Sequence, residues 1–268
     1  MCAQVSASCQ KLTKIYGKGD AQVVALDAVD VEFRSGRFSA VMGPSGSGKS
    51  TLIHCLAGLD TPTSGIVKIG DRDIASLRDK EKTLLRREKI GFIFQAFNLV
   101  PTLSAKENIL LPLAIAGKKP DPQWYETIID VIGLRERLSH KPNQLSGGQQ
   151  QRVACARALI TRPEIIFADE PTGNLDSASS REVLNFLRQA VDELGATVVM
   201  VTHDPAAAGQ ADEAIFLADG KINDFLEKPS REKVLAKMAG LDINAVADMR
   251  ATEERKALGA HSFIQKGE

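Results

Sequence analysis

The stretch Gly43-Pro44-Ser45-Gly46-Ser47-Gly48-Lys49-Ser50-Thr51 lies between two apolar runs, Phe38-Ser39-Ala40-Val41-Met42 before it and Leu52-Ile53-His54-Cys55-Leu56-Ala57 after it. A short apolar run that stops at a glycine-rich turn and resumes with helical spacing reads as strand, tight turn, helix. Such a unit belongs to an α/β architecture, with the turn at the carboxyl end of a parallel strand. The Gly-x-x-x-x-Gly-Lys-Ser spacing adds chemistry to that geometry. Glycines at 43, 46 and 48 open backbone conformations closed to other residues, so several N–H groups can converge on one anion at a helix N-terminus. Lys49 would then reach the β- and γ-phosphates of a nucleotide, and the Ser50 hydroxyl would ligate Mg²⁺. A Gly/Ser turn that binds nothing is the bland alternative, and the strand before and helix after argue against it.

The 268 residues suffice for one large domain or two lobes. Lysine plus arginine and aspartate plus glutamate both total 34, so no global basic field points to nucleic acid. No apolar run approaches the roughly 18 residues that span a bilayer, and Met1 to Gln10 lacks an export pattern, so a cytosolic chain is expected. Cys2, Cys9, Cys55 and Cys155 have no metal-type spacing and read as reduced packing residues.

Val5 to Phe38 alternates apolar and polar residues around turns at Gly17–Asp20 and Arg34–Gly36, which predicts a small antiparallel sheet. Tyr16 ends its first strand, with a ring that either packs or stacks on a purine. A strand follows at Gly65–Ile69, a charged helix at Ser76–Lys89, and a short buried strand at Ile90–Phe94 that ends in Gln95. That glutamine is either structural or placed to orient a water or touch Mg²⁺. From Ala96 to Ala158 the pattern is helical: a capping box at Ser104–Glu107 opens one helix, and Gln123–Ile132 is a second, stopped by Gly133. Leu145-Ser146-Gly147-Gly148-Gln149 then precedes a helix over Val153–Thr161, with Ser146 as its N-cap. Taken alone, Ser-Gly-Gly before a helix is only a cap.

Ile165-Ile166-Phe167-Ala168-Asp169-Glu170 is an apolar strand that ends in two carboxylates and is broken by Pro171. At the carboxyl end of a parallel strand beside the loop, Asp169 is positioned to hold the Mg²⁺ shell and Glu170 to face an attacking water as general base.

Tyr16, the loop at 43–51, Gln95, Leu145–Gln149, Ile165–Glu170, Asn174-Leu175-Asp176 and His203 together resemble the ABC-type ATPases, the nucleotide-binding subunits of ATP-binding-cassette transporters. The resemblance implies a P-loop NTPase (RecA-like) core, an N-terminal antiparallel β-subdomain and an inserted α-helical subdomain at about 96–158. It places the ATPase domain at 1–227 and a C-terminal helical extension at 228–268. It also implies ATP and Mg²⁺ as ligands. Tyr16 would take the adenine, Gly43 to Thr51 the phosphates, and Ser50 with Gln95 and Asp169 the metal. Glu170 would polarise the lytic water and His203 would contact the γ-phosphate. In this family the Ser146, Gly147, Gly148 and Gln149 segment faces the loop of a second subunit, with Asp176 at the seam, so ATP joins two copies.

Gly173–Asp176, Gln149–Arg152 and Phe97–Leu99 are similar to the branch of macrolide-export and lipoprotein-release ATPases. That likeness implies a permease with few membrane helices and a large external domain, engaged through Gln95–Asn108 and an exposed apolar surface at Phe97, Leu99 and Val100. Export or mechanical transmission at the inner face of the cell membrane is the expectation. A regulator of cell-wall hydrolases acting through a membrane partner is the alternative. A soluble nucleic-acid or ribosome ATPase fits poorly, because there is no heptad array, second loop or basic stripe. Beyond Lys228, a helix is expected at Arg231–Ala239 and a charged helical stretch near Ile243–Ala257, as a packing appendage or a partner-binding tail.

Overall fold

Hydrophobic alternation organises the first sheet of the computed structural model, which describes residues 4–240. β1 (Val5–Tyr16) turns Ala7 and Cys9 inward and pairs antiparallel with β2 (Val23–Arg34). β3 (Phe38–Met42) is buried at every position and leads through the glycine-rich turn into α1 (Lys49–Leu56). β4 (Ser64–Ile69) returns to the free edge of β1, and β5 (Arg72–Asp73) closes a four-stranded sheet in the order β2-β1-β4-β5.

α2 (Asp79–Lys89) and β6 (Ile90–Phe94) follow, then three helices, α3 (Ala105–Ile115), α4 (Pro122–Ile132) and α5 (Gly147–Leu159). β7 (Ile165–Asp169), α6 (Ser177–Asp192), β8 (Val198–Val201), α7 (Pro205–Ala208), β9 (Glu213–Ala218) and β10 (Lys221–Glu227) complete the second sheet, whose order is β10-β9-β3-β8-β7-β6. Its strands are parallel except for the β9-β10 hairpin, which turns at Asp219-Gly220. One face packs with the first sheet and α1 around Leu26, Phe33, Leu52 and Phe167. The other packs with α3 to α7 around Ile109, Ile129, Cys155 and Leu187. Strand residues of β7 alternate between the two cores, Phe167 to one and Ala168 to the other, because successive side chains leave a strand on opposite faces.

Two helix starts differ from the sequence reading. α2 opens at Asp79 rather than Ser76, because Asp73 turns the chain by accepting from the Ala75 N–H at 2.9 Å while the Ser76 hydroxyl donates to the Asp73 carbonyl at 2.8 Å. α5 opens at Gly147 rather than Val153, so both glycines lie within its first turn. The capping box offsets their poor helix propensity: the Gln149 N–H donates to Ser146 Oγ at 3.3 Å and the Ser146 N–H to Gln149 Oε1 at 2.9 Å. Residues 231–240 are helical and Val234 is buried in the core. The expected stretch at 243–257 lies outside the described residues, as does Cys2. Cys9, Cys55 and Cys155 are free and buried.

Candidate functional site

Register brings the predicted residues to one sheet edge. Val41 pairs with Val201, Val201 with Asp169, and Asp169 with Phe94, so the segments leaving β3, β8, β7 and β6 emerge side by side. Those segments carry Gly43–Thr51, Thr202-His203, Glu170 and Gln95.

The loop after β3 is formed where side chains would not fit. A Cβ on Gly43 would lie 1.9 Å from the Leu217 carbonyl oxygen, and one on Gly48, at φ 100°, would lie 2.3 Å from that of Ala25. Lys49 is buried and donates to the carbonyls of Gly43 at 2.9 Å and Pro44 at 2.7 Å. Burial lowers its pKa, with the charges of Glu170 and Asp169 opposing the shift. Ser47 Oγ is buried without a protein partner inside this ring of glycine backbone. An inward hydroxyl, a buried ammonium and the N-terminus of α1 fit the oxygens of a nucleotide phosphate. Pro44, Ser45 and Gly46 form the outer rim, and Thr51 continues the first turn of α1.

Ser50 Oγ donates to Asp169 Oδ1 at 3.0 Å, and His54 Nε2 lies 3.7 Å from Asp169 Oδ2. Burial raises the Asp169 pKa, while the Ser50 hydrogen bond and His54 act against the rise. Among the described residues no cluster of three or more His, Cys, Asp or Glu could hold a metal unaided. A hydroxyl and a carboxylate beside a phosphate cradle instead fit Mg²⁺, which takes hard oxygen ligands and draws the rest from phosphate and water.

Glu170 leaves the strand geometry, with φ at 46°. In a continuing strand Asp169 and Glu170 would point to opposite faces. The left-handed turn instead leaves both carboxylates acting on Lys49. The turn is held by the Glu170 N–H donating to the Val201 carbonyl and by the Gly173 N–H donating to the Glu170 carbonyl, each at 3.0 Å. His203 Nδ1 lies 3.1 Å from Glu170 Oε1. A cleft of about 550 Å³ opens beside this pair, lined also by Thr172, Ser177, Arg181 and Asp204.

Gln95 follows β6 directly. Its Nε2 donates to Asn174 Oδ1 at 3.1 Å, and Asn174 Nδ2 donates back to the Gln95 carbonyl at 3.2 Å. Tyr16 stands at the end of β1, half exposed, with its hydroxyl donating to Asp60 Oδ2 at 2.6 Å and the Lys14 ammonium 4.7 Å from its ring centroid.

Ser146, Gly147, Gly148 and Gln149 form a separate group. No hydrogen bond joins them to Gly43–Thr51 among the described residues. They pack on the start of α6 instead, where a Cβ on Gly148 would meet Ser179 at 2.7 Å. Asp176 caps α6 by accepting from the N–H groups of Ala178 and Ser179, each at 2.9 Å, and those bonds with the Ser179 hydroxyl lower its pKa. Phe97, Leu99 and Val100 are half-buried rather than an exposed apolar surface, because Leu99 packs into the core and Phe97 lies beside Gly147.

The family model described as ABC transporter matches residues 26–173. The chain belongs to this family. An uncharacterized ABC transporter ATP-binding protein of Methanocaldococcus jannaschii is 47% identical over 217 residues, which cover 80% of this chain and 96% of that protein. The lipoprotein-releasing system ATP-binding protein LolD of Legionella pneumophila is 42% identical over 215 residues, covering 80% of this chain and 95% of LolD. The macrolide export ATP-binding/permease protein MacB of Bdellovibrio bacteriovorus is 47% identical over 211 residues, but the match covers only 32% of MacB, so this chain corresponds to about a third of it. A solved dimer of the ATP-binding cassette MJ0796, in a post-hydrolysis state bound to ADP and Pi, superposes with a TM-score of 0.75 at 41% identity, covering 84% of this chain and 99% of that one. The chain is thus an ABC transporter ATP-binding cassette of the MacB/LolD type, with the α/β cassette fold.

Sequence reasoning missed Asp60, Lys14 and His54. The last had a legible signal: four residues after Ser50 on a helix, it shares that residue's face.

Proposed function

We propose that this cassette binds and hydrolyses ATP, closes with a second copy of itself around two ATP molecules, and drives a membrane permease with few spans and a large external domain. The convergence of Lys49, Ser50, Asp169, Glu170 and His203 at the ends of three adjacent strands carries the reading.

Tyr16 presents its exposed ring to adenine, with Lys14 and Asp60 fixing its orientation. Gly43, Pro44, Ser45, Gly46, Ser47, Gly48, Lys49, Ser50 and Thr51 receive the phosphates through backbone N–H groups, the Lys49 ammonium and hydroxyls. Ser50, Gln95 and Asp169 are the residues that would hold Mg²⁺, which neutralises charge on the phosphates. Glu170 accepts a hydrogen bond from the attacking water and draws off its proton as the water oxygen bonds to the γ-phosphorus. The bond from that phosphorus to the β–γ bridging oxygen breaks, leaving ADP and phosphate. Lys49 stabilises the charge that gathers on the departing oxygen. His203, paired with Glu170, steadies the carboxylate and faces the γ-phosphate.

Ser146, Gly147, Gly148 and Gln149 bind the γ-phosphate held by the other copy, and Asp176 lies at the seam. Their separation from this chain's own loop supports that arrangement, as does the dimeric state of the MJ0796 cassette. No helix among the described residues is long and apolar enough to cross a membrane. The MacB and LolD likeness supports work with a membrane permease at the inner face of the cell membrane. Gln95 to Asn108 would receive it. Export or mechanical transmission fits the MacB and LolD likeness; control of cell-wall hydrolases through a membrane partner would use the same ATPase. The balanced charge gives no support to nucleic acid as a partner.

The test uses Glu170→Gln, which should keep ATP binding, lose hydrolysis and accumulate as an ATP-bound dimer. Hydrolysis at the normal rate would sink the role given to Glu170. The tagged variant, held with ATP and Mg²⁺ in detergent-solubilised native membranes, should retain a permease with few spans. A many-span permease with a binding protein would indicate import, and soluble partners alone would refute the transporter reading.

A further inference from the structure

Gln151 is a fully buried polar residue. It lies on α5, five residues after the Ser146 cap. Its amide nitrogen donates to two backbone carbonyls, that of Phe94 at 3.2 Å and that of Pro171 at 2.6 Å. Phe94 immediately precedes Gln95, and Pro171 immediately follows Glu170. No other side chain among the described residues donates to both of these carbonyls. Its Oε1 is buried without a protein partner, so the side chain is kept at this position by what its nitrogen holds.

The surrounding chain is tense where Gln151 grips it. Glu170 has a left-handed φ of 46°, and Phe97 and Asn98, just beyond Gln95, have φ of 56° and 50°. Non-glycine residues persist in that region only where their surroundings fix them. Small displacements of a helix that anchors such turns are passed on as changes of direction rather than absorbed, because packed interiors are stiff.

We propose that Gln151 is a positioning residue that couples the Ser146–Gln149 helix end to Gln95 and Glu170 of the same chain. The coupling rests on the dimer reading given above. A γ-phosphate bound by one copy would draw the start of the partner copy's α5 toward it. Gln151 moves with α5 and resets the carbonyls of Phe94 and Pro171, bringing Gln95 and Glu170 into line at that copy's own ATP. Each site is thereby informed of occupancy at the other, and hydrolysis depends on both.

Gln151→Met tests this in the full chain, since methionine keeps the length and volume and removes the donors. The expected result is a fall in kcat of about tenfold to a hundredfold, the range of a misaligned catalytic group, with KM for ATP within about twofold of the parent. The Hill coefficient for ATP should drop from above 1 toward 1. A structural role alone would lower the melting temperature and leave the Hill coefficient where it was. Should the methionine variant melt below the assay temperature, Gln151→Asn keeps the amide, shortens it by one methylene and should show the same loss of cooperativity. Unchanged kcat and Hill coefficient in a folded variant would overturn the coupling while the dimer reading stands. A parent chain that never dimerises with ATP, even as Glu170→Gln, would overturn both.

Discussion

Replacing Lys49 by methionine separates the folding role of this lysine from its role toward nucleotide. In the structure Lys49 is 7% exposed and its ammonium donates two hydrogen bonds, to the Gly43 and Pro44 carbonyls. Hydrogen bonds from a charged donor contribute about 1.5–3 kcal/mol each. Burial opposes them: it lowers the lysine pKa, so the folded chain holds the charged form less favourably than the unfolded chain does. Methionine removes the two hydrogen bonds and the cost of burying the charge together, and because these oppose each other the nucleotide-free melting temperature should shift by less than loss of the hydrogen bonds alone would give. ATP separates the two proteins. At a concentration a hundredfold above Kd, ligand binding stabilises the parent by about 2.7 kcal/mol, which corresponds to a rise of about 5–11 °C. Lys49→Met should lose that rise. Thermal melts with and without ATP and Mg²⁺, at matched concentrations, give all four values. An ATP-dependent rise in the variant as large as in the parent would refute the placement of phosphate at Lys49.

Asp60→Ala frees the Tyr16 hydroxyl and the Lys14 ammonium together; it should raise KM for ATP by about tenfold, a fraction of what base stacking on an aromatic ring contributes, with kcat unchanged in steady-state assays. Asp169→Asn keeps an oxygen for the Ser50 hydroxyl and removes a carboxylate whose pKa burial has raised. A raised folded pKa means that ionisation costs stability as pH rises from the ordinary carboxylate value through the folded one. The asparagine variant should therefore melt above the parent at pH 7, with the gap closing as pH falls through that window, and should lose the Mg²⁺-dependent part of the ATP effect. Burial pushes the Cys9 and Cys155 thiols up to about 12 and that of Cys55 to about 11, so in native protein none of these three should react with a thiol reagent at pH 8 on the timescale of minutes; fast labelling of any of them, mapped by mass spectrometry, would contradict the packing described.

Motifs that act through the backbone were the most legible. Gly43–Thr51 and the Ser146 cap act through backbone N–H groups and short local hydrogen bonds, and spacing alone specifies such features. The α/β order and the paired carboxylates at 169 and 170 followed from apolar runs ending in polar residues. Long-range side-chain partners left no periodic trace. Asp60 reaches Tyr16 across 44 positions, and Gln151 meets Pro171 across 20. The start of α5 was misplaced because two glycines weaken helix propensity and only the reciprocal Ser146–Gln149 bonds restore it. Phe97 and Leu99 looked solvent-facing because their cover, α5 and the main core, comes from elsewhere in the chain.

The place of β3 in its sheet has a consequence for how the protein is made. Both neighbours of β3, namely β8 and β9, are encoded about 150 residues or more further along. Gly43–Thr51 therefore leaves the ribosome long before either strand that will hold it. At synthesis rates of about 5–20 residues per second, the loop spends roughly 8–30 s as unpaired chain. Nascent chains arrested before residue 198 should hold no ATP, however much of the glycine-rich motif they expose, and the ability to bind should arrive abruptly as the last two parallel strands emerge.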